Sequence, residues 1–297
     1  MNLRKAAFRV ALIGAAAAGY AAAEAHWYKL DRRQLAILPP GSPPIRVLHI
    51  SDPHFTARQR RKVAWVARLA ELEPDLVVTT GDNFAFGDAM ETALEAYEPL
   101  LAFPGAFVLG SNDYFSAECR NPLAYLWRSH TIVPSRQPDL PTDAFRQVLT
   151  GAGWLDLDNA RGQLKLGTAG LPTDFVGLAD PHAGWDRFPE DQGAGAASTF
   201  KLGLVHAPYT AAVQSLVDDG ARLILAGHTH GGQVTVPGVG ALVTNTDLPL
   251  ALASGIHRWR GSEAYLAVSP GLGTSPFVPL RLGRRPAAGL ITLTAQA

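Results

Sequence analysis

Five hydrophobic segments of the sequence end in residues that can bind a metal ion. Each segment is short enough for a β-strand, and each is followed by a carboxylate, an amide or an imidazole side chain. In layered α/β folds, ligands gather at the edge of the sheet where the carboxyl ends of parallel strands meet. The residues expected to meet there are Asp52, His54, Asp82, Asn112, His206, His228 and His230.

The chemistry of these seven side chains indicates a dinuclear metal centre. Nitrogen and oxygen donors without a thiolate suit Mn, Fe, Zn or Ni, and they disfavour a pure calcium site. Seven donors are too many for one tetrahedral ion, but they match two divalent ions that share a carboxylate. The chain has a single cysteine, Cys119, which excludes an internal disulfide framework and a multi-cysteine zinc site.

The segments that must position these residues alternate between strand and helix patterns. Buried strands are predicted at 45–50, 76–80, 106–109, 201–205, 221–226 and 289–293. The spacing of apolar residues predicts helices at 59–72, 90–101 and 210–219. The less regular region between 114 and 200 is predicted to contain helices at 121–129 and 142–150 and strands at 154–157, 163–166 and 174–178. This alternation is typical of α/β layers.

The composition narrows the classes of function. Hydrophobic residues make up 47% of the chain and charged residues 18%, which excludes intrinsic disorder. Lys+Arg and Asp+Glu both number 26, so the chain lacks the basic excess of a non-specific nucleic-acid binder, and no nucleic-acid partner is expected. We interpret the densest basic cluster as an exposed helix face near the site or a membrane: Arg58, Arg60, Arg61 and Lys62.

The amino-terminal segment, residues 1–38, is predicted to be separate from the catalytic domain. Arg4, Lys5 and Arg9 flank an apolar run over residues 10–23, which is shorter than the ~20 residues that span a bilayer. This layout is typical of a signal peptide, and an alanine-rich helix on the body or on a membrane surface is the other interpretation. We expect a membrane-associated or exported protein, with a cytoplasmic location as the alternative. Residues 39–44 form a proline-rich linker and residues 45–297 the domain, so a protein shortened to begin at Pro44 is expected to be soluble and active.

The order of the motifs resembles the calcineurin-like metallophosphoesterase superfamily. The resemblance covers residues 45–293 and consists of Asp52-Pro53-His54, Gly81-Asp82-Asn83, Gly110-Ser111-Asn112-Asp113, His206 and Gly227-His228-Thr229-His230. Residues 227–233, Gly-His-Thr-His-Gly-Gly-Gln, and residues 269–273 are similar to a bacterial branch that often has an amino-terminal membrane segment.

The resemblance implies a fold, an activity and a role for each residue. The fold is an α/β four-layer α/β/β/α sandwich of two mixed sheets flanked by helices. The activity is metal-dependent hydrolysis of phosphodiester or pyrophosphate bonds, with a phosphorylated small molecule or a nucleotide-linked lipid as substrate. One ion would be held by Asp52, His54 and His230 and the other by Asn112, His206 and His228, with Asp82 bridging them. The residues expected to take part in catalysis are Asp82, Asn112 and His228.

The third motif departs from the family pattern, Gly-Asn-His-Asp. A gapless match puts Ser111 at the metal-binding position, whereas a shift of one residue puts Asn112 there. We favour Asn112 because an amide oxygen is a better donor than a hydroxyl. Neither match supplies the usual histidine, and asparagine cannot act as a general acid. Asp113 would replace that histidine only if it points into the site, and the alternative is a hydrogen bond that supports the ligands.

Two other functions stay open at this point. One is a phosphomonoesterase or phosphoprotein phosphatase of the same fold, and the other is a non-catalytic metal-binding module with a decayed third motif. A complete ligand set favours an enzyme over the module. Arg258 and Arg260 could hold a substrate phosphate or lie in a solvated loop, and Cys119 is expected to have no catalytic part.

Overall fold

The computed structural model of the protein describes residues 3–119, 137–190, 200–236 and 240–296. It begins with α1 (Leu3–Glu24), whose carboxyl end rests on the body of the protein. The carbonyl of Ala21 accepts a hydrogen bond from the backbone amide of Arg281 at 3.0 Å. The carboxylate of Glu24 accepts another from the amide of Gly283 at 2.8 Å. No helix within the described ranges combines the length and the apolar character that crossing a bilayer requires.

The first sheet has six strands in the order β1-β14-β2-β3-β4-β5. The strand β14 is parallel to β1 and antiparallel to β2, and β2 to β5 are parallel to one another. The strands are β1 (Lys29–Leu38), β2 (Ile45–Ile50), β3 (Leu76–Thr79), β4 (Gly105–Phe107), β5 (Leu155–Asp156) and β14 (Ala287–Ala295).

The second sheet also has six strands, in the order β12-β13-β9-β8-β7-β6. The four inner strands are parallel, and the two edge strands run antiparallel to their neighbours. The strands are β6 (Ala160–Leu166), β7 (Leu171–Leu178), β8 (Phe200–Val205), β9 (Leu223–Ala226), β12 (Gly255–Arg258) and β13 (Tyr265–Val268). A short antiparallel pair, β10 (Thr235–Val236) and β11 (Gly240–Ala241), lies apart from both sheets.

The two sheets pack face to face and each is covered by helices on its outer face. Neighbouring residues of β2 face the two layers: Val47 packs between the sheets, whereas Leu48 packs under the helices that cover the first sheet. A strand buried on both faces is mostly hydrophobic, which explains the apolar residues that dominate the inner strands. These helices are α2 (Arg60–Ala67), α3 (Met90–Tyr97) and α4 (Thr142–Gly151), and α5 (Thr210–Asp218) covers the second sheet. The predicted four-layer α/β/β/α fold is confirmed.

The structure differs from the sequence prediction at the start of the domain. Residues 1–38 are predicted to precede the domain, but Lys29–Leu38 forms the edge strand β1, which pairs with β14 along its length. The apolar pattern does not reveal this strand because its middle residues, Arg32, Arg33 and Gln34, are exposed at the sheet edge. Only its end, at Ile37 and Leu38, is buried.

The other predicted elements agree with the structure to within a few residues. The helix predicted at 59–72 consists of α2 and a following 3₁₀ turn, Arg68–Leu72. The helix predicted at 121–129 lies outside the described residues.

Candidate metal centre

Five strands end at one edge of the two sheets and carry the predicted ligands there. In the first sheet β2 leads to Asp52 and His54, β3 leads to Asp82, and β4 leads to Asn112. In the second sheet β8 leads to His206, and β9 leads to His228 and His230. These strands are parallel neighbours within their sheets, so their carboxyl ends bring the side chains around one space.

Six of the seven side chains form two clusters. Asp52, His54 and His230 make one, and Asp82, His206 and His228 make the other. Within each cluster the candidate ligand atoms lie within 4.8 Å of one another. In the first, Nε2 of His54 is 3.2 Å from Nε2 of His230. In the second, Nε2 of His206 is 3.2 Å from Nδ1 of His228.

The carboxylate of Asp82 lies between the two clusters. Its Oδ2 atom is 3.4 Å from Nε2 of His54, and its Oδ1 atom is 3.4 Å from Nε2 of His206. One carboxylate therefore offers an oxygen to each cluster.

Backbone carbonyls orient three of the imidazole rings. His206 Nδ1 is 2.5 Å from the carbonyl of Thr80, and His228 Nε2 is 3.3 Å from the carbonyl of Asn245. His230 Nδ1 is 3.2 Å from the carbonyl of Gly273. In neutral His206, the N–H that donates to the carbonyl of Thr80 leaves Nε2 with its lone pair facing the cluster. Nε2 of His228 also lies 3.1 Å from the side-chain amide nitrogen of Asn245, and Nδ1 of His230 lies 3.3 Å from Nη2 of Arg281, so each of these nitrogens has a donor as well as a carbonyl beside it.

Burial sets the protonation of these groups. It lowers the pKa of His54 to about 4 and takes the pKa values of His228 and His230 well below their ordinary value. Neutral imidazole is the form that binds a metal. Burial alone would raise the pKa of Asp82, but the charge and hydrogen bond of His206 hold it well below its usual range.

The third motif places Asn112 against the central carboxylate. The side-chain amide of Asn112 donates to Oδ2 of Asp82 at 2.8 Å, and its backbone amide lies 3.0 Å from Oδ1. The backbone amide of Ser111 instead donates to Asp180 at 2.9 Å. Asp113 does not point into the site: its buried carboxylate accepts from the backbone amides of Asp82 and Gly110 and from both the backbone and the side chain of Asn83. It supports the loops, so a role as the missing acid is contradicted.

Five candidate ligands have a left-handed backbone. Their φ angles lie between 42° and 65°, a region that side chains other than glycine seldom adopt. Such conformations cost on the order of 1–3 kcal/mol each and occur mainly at functional sites. The five residues are Asp52, His54, Asp82, His228 and His230.

Two glycines leave room for the carboxylates. A Cβ atom at Gly110 would collide with Oδ1 of Asp82, and one at Gly227 would collide with Oγ of Ser51 and stand 2.6 Å from Oδ2 of Asp52. Any larger residue at either position would push a candidate ligand out of place.

A fifth histidine, His182, lies near the four histidines of the clusters and is not among the predicted ligands. His182 follows β7, and its ring centroid is 4.3 Å from that of His228. The backbone amide of His182 donates to Asp180, whose carboxylate also accepts from Ser111. The rule that selects the other ligands, a polar residue that follows a strand, also selects His182, because a strand is predicted at 174–178.

Two buried cations were also missed or misplaced. Lys62 is predicted on an exposed face, but it is buried and donates to the carbonyl of Pro53 at 2.6 Å. Its position on α2 turns it toward the Asp52-Pro53-His54 loop and away from solvent. Arg281 is fully buried and donates to the carbonyls of Gly271 and Gly273. Arg281 lies in a proline- and glycine-rich stretch without a periodic pattern, and nothing there distinguishes it from Arg284 and Arg285, so its burial could not be anticipated.

Three other residues considered from the sequence belong to neither cluster: Arg258, Arg260 and Cys119. Arg258 donates to the carbonyl of Ser262, and Arg260 stacks on Trp259 with its guanidinium 4.8 Å from the ring centroid. Cys119 is an exposed free thiol. The described contacts give the two arginines a structural place in their loop.

The residues fit a pair of divalent cations. In each cluster two imidazole nitrogens approach to 3.2 Å beside a carboxylate, so that their lone pairs can converge on one cation. Burial raises the pKa of Asp52 to about 7, a cost that a neighbouring cation removes. The donor set contains nitrogen and oxygen atoms, as Mn, Fe, Zn and Ni prefer.

Comparison with known proteins gives one family and several relatives. The sequence model of the family described as "Calcineurin-like phosphoesterase" matches residues 45–232. The chain is 26% identical over 272 residues to phosphodiesterase YaeI of Escherichia coli (strain K12), covering 91% of this chain and 90% of YaeI. It is 26% identical over 255 residues to a Bos taurus protein named "Transmembrane protein with metallophosphoesterase domain", covering 84% of this chain and 52% of that protein.

Among solved structures, the chain is similar to the protein TT1561 of Thermus thermophilus. The TM-score is 0.42 at 11% sequence identity, and the match covers 77% of this chain and 91% of TT1561.

Proposed function

The chain belongs to the calcineurin-like phosphoesterase family and is a metal-dependent phosphoesterase, and from this premise we propose that it hydrolyses phosphodiester or pyrophosphate bonds at a dinuclear centre. The observation that carries the proposal is the position of Asp82. Its two carboxylate oxygens lie at the same distance, 3.4 Å, from an imidazole of each cluster. A bridging carboxylate requires this arrangement.

The proposed ligand sets follow the two clusters. Asp52, His54 and His230 would hold one ion, and Asn112, His206 and His228 the other, with Asp82 shared. Asn112 is proposed as a ligand through its amide oxygen, because its side chain lies beside Asp82, to which the amide nitrogen donates at 2.8 Å. When bound, two divalent ions supply Lewis-acid chemistry: they activate water and neutralise charge on the phosphoryl oxygens.

The chain's own residues supply orientation and exclude water. The carbonyls of Thr80, Asn245 and Gly273 hold the rings of His206, His228 and His230 in position, with the other nitrogen of each ring toward its cluster. Asp113 holds the loops after β3 and β4 together through its four hydrogen bonds. The low exposure of both clusters strengthens every electrostatic contact with a phosphoryl group.

We place the enzyme at a membrane surface and propose a lipid-linked phosphate as a substrate. Support comes from α1, where Leu12, Ile13 and Tyr20 are exposed, and from Trp27 just beyond it, which is also exposed. The pocket next to His54 is lined in part by residues that follow α1. The Bos taurus relative is named a transmembrane protein, which agrees with this proposal.

Hydrolysis of bis(4-nitrophenyl) phosphate with added Mn²⁺ tests the proposal. We expect turnover that a chelator stops and that Asp82→Ala lowers by at least ~10²–10³-fold, since the variant loses the shared ligand. Asp75→Ala is the control, because Asp75 accepts its hydrogen bond from the backbone amide of Arg46, away from the clusters. Near-normal turnover in Asp82→Ala contradicts the bridging role. Faster turnover of 4-nitrophenyl phosphate than of the diester overturns the diesterase assignment in favour of a phosphomonoesterase.

A further inference from the structure

A pocket of about 120 Å³ adjoins the first metal-ligand cluster. It lies between the residues that follow α1, the start of α2 and the loop at 272–279, and His54 forms part of its wall. A ligand that fills the pocket therefore lies beside one of the two proposed metal positions. None of the reactions described so far uses this space.

The residues that line the pocket include Lys62, which is only 5% exposed. Its ammonium group donates to the carbonyl of Pro53 at 2.6 Å and lies 5.5 Å from the ring centroid of Phe55. Within the described residues, no carboxylate lies at ion-pair distance from this ammonium group. A buried charge normally has an anionic partner, because desolvation is costly.

The rest of the pocket wall is also suited to an anion. Among the described residues, the lining contains no aspartate or glutamate, and it includes His26 and two threonines, Thr56 and Thr274. The described wall of the pocket therefore combines one buried cation with hydroxyl donors and contains no carboxylate that would repel an anion.

We propose that Lys62 binds a second phosphoryl group of the substrate, so that the enzyme prefers diphosphate-linked compounds to simple diesters. The inference rests on the proposed function and specifies its substrate class. A diphosphate places one phosphorus at the metal clusters and the other in the adjoining pocket. Lys62 then forms a charge-assisted hydrogen bond that a diester with a single phosphorus cannot offer.

The reaction on such a substrate balances without a further reactant. The oxygen of water forms a bond to one phosphorus, and the bond from that phosphorus to the bridging oxygen breaks. The bridging oxygen leaves with the electron pair as part of the second phosphoryl group. The two protons of water are shared between the two monophosphate products.

Two inhibitors that cannot be hydrolysed test the proposal with the Mn²⁺-loaded protein. Methylenediphosphonate has two phosphoryl groups, and methylphosphonate has one. We expect Lys62→Met to weaken the binding of methylenediphosphonate by about 10–100-fold and the binding of methylphosphonate by less than about threefold. Both are measured by inhibition of bis(4-nitrophenyl) phosphate hydrolysis and by titration calorimetry, which does not depend on turnover.

Two further variants separate the charge of Lys62 from packing and from the general field. Lys62→Arg keeps a cation and should retain most of the affinity for methylenediphosphonate. Arg61→Met removes an exposed cation from the adjacent position of α2, and it should change the affinity for either inhibitor by no more than about twofold.

Equal weakening of both inhibitors in Lys62→Met would mean that Lys62 only braces the loop through Pro53, and this would overturn the proposal. Unchanged binding of both would overturn it as well. If the wild-type protein binds methylenediphosphonate by calorimetry but hydrolyses no phosphodiester, the proposed function fails while the Lys62 site stands.

Discussion

Arg281 and His230 share one acceptor: the carbonyl oxygen of Gly273 lies 2.6 Å from Nη2 of Arg281 and 3.2 Å from Nδ1 of His230. Arg281 also donates to the carbonyl of Gly271 at 3.1 Å, so its guanidinium fixes the loop that orients the ring. The arginine thereby acts on the metal site through a carbonyl.

We expect Arg281→Lys to lower metal affinity by about 10–100-fold, the usual effect of disturbing a residue that orients a ligand. Lysine keeps the charge but cannot hold two carbonyls with a planar fork. Competition with a chromogenic chelator gives the affinity. Arg222→Lys, in which the exposed ion pair with Glu263 is altered, is the control and should bind metal normally. Unaltered metal affinity in Arg281→Lys would refute this role.

The left-handed backbone of His54 predicts an unusual order of stability among variants. Its φ angle is 42°, where a Cβ atom costs roughly 1–2 kcal/mol. In the metal-free protein, His54→Gly should therefore be more stable than His54→Ala by about 1 kcal/mol. Urea unfolding in the presence of a chelator measures the difference.

The matched control for this comparison lies on α2. Ala64 is an exposed residue of that helix, where glycine should be less stable than alanine by ~0.5–1 kcal/mol. The order of stability at residue 64 is thus expected to be opposite to that at residue 54. The same order at both positions would show that the backbone of His54 relaxes once its side chain is removed.

The altered third motif predicts a steep dependence on the leaving group. Asp113 is fully engaged by backbone and side-chain donors, and Asn112 cannot donate a proton as a general acid. Aryl esters and pyrophosphates should be cleaved well and alkyl esters poorly. The double variant Ser111→Asn, Asn112→His should help alkyl esters most, by up to ~10²–10⁴-fold.

Rates across a series of aryl and alkyl phosphodiesters check this prediction. A flat series would contradict it and would show that another group supplies the proton. If the series is flat, His182 is the residue to substitute next, because its ring centroid is 4.3 Å from that of His228. A series that becomes steep in His182→Gln would identify His182 as that group.

The strand β1 changes the outcome expected for a shortened protein. A protein that begins at Pro44 lacks β1, and loses the buried side chains of Ile37 and Leu38 and the partner of β14. Two such side chains contribute roughly 4–10 kcal/mol, which is comparable to the stability of a whole domain. We therefore expect the Pro44 protein to aggregate, whereas one that begins at Lys29 keeps β1 and stays folded. Equal urea midpoints for the two proteins would refute this expectation.

A salt bridge far from the metal site predicts a pH-dependent part of the stability. The carboxylate of Asp219 accepts from Arg161 at 2.7 and 2.8 Å and from Lys201 at 2.9 Å, and so joins the end of α5 to β6 and β8. Partial burial would raise the pKa of Asp219, but the hydrogen bonds and charges of Arg161 and Lys201 lower it. A lowered pKa in the folded state stabilises the protein above the ordinary pKa of about 4. This stabilisation is lost as pH falls through the lowered value.

Asp219→Asn should accordingly lower the free energy of unfolding by about 1 kcal/mol at pH 7 and by much less near pH 3. Urea unfolding at the two pH values measures both differences. Asp174→Asn is the matched control, because the partner of Asp174 is the neutral amide of Gln163, and its effect should be small at both pH values. A constant loss in Asp219→Asn at pH 7 and pH 3 would argue against the ion pair.

The parts of the fold that could be predicted are those in which burial dictates residue type. The strands β2, β3, β8 and β9 are covered on both faces, so they are rich in hydrophobic residues and are followed by polar ones; Arg46, His49 and Lys201 are the charged or imidazole exceptions within them. The edge strand β1 has no such constraint on its exposed middle. Lys62 could not be placed because a basic cluster gives no sign of which member turns inward. The left-handed φ angles of the candidate ligands depend on tertiary contacts, and their residue types do not reveal them.

The place of β14 between β1 and β2 has a consequence for biosynthesis. Residues 29–38 leave the ribosome early, but their only strand partner in the described sheet, residues 287–295, emerges about 250 residues later. At ~5–20 residues per second, β1 waits roughly 10–50 s with its backbone hydrogen bonds unmade. During that interval the nascent chain lacks the strand that joins β1 to β2, and the unpaired edge of β2 can pair with another chain until β14 is synthesised.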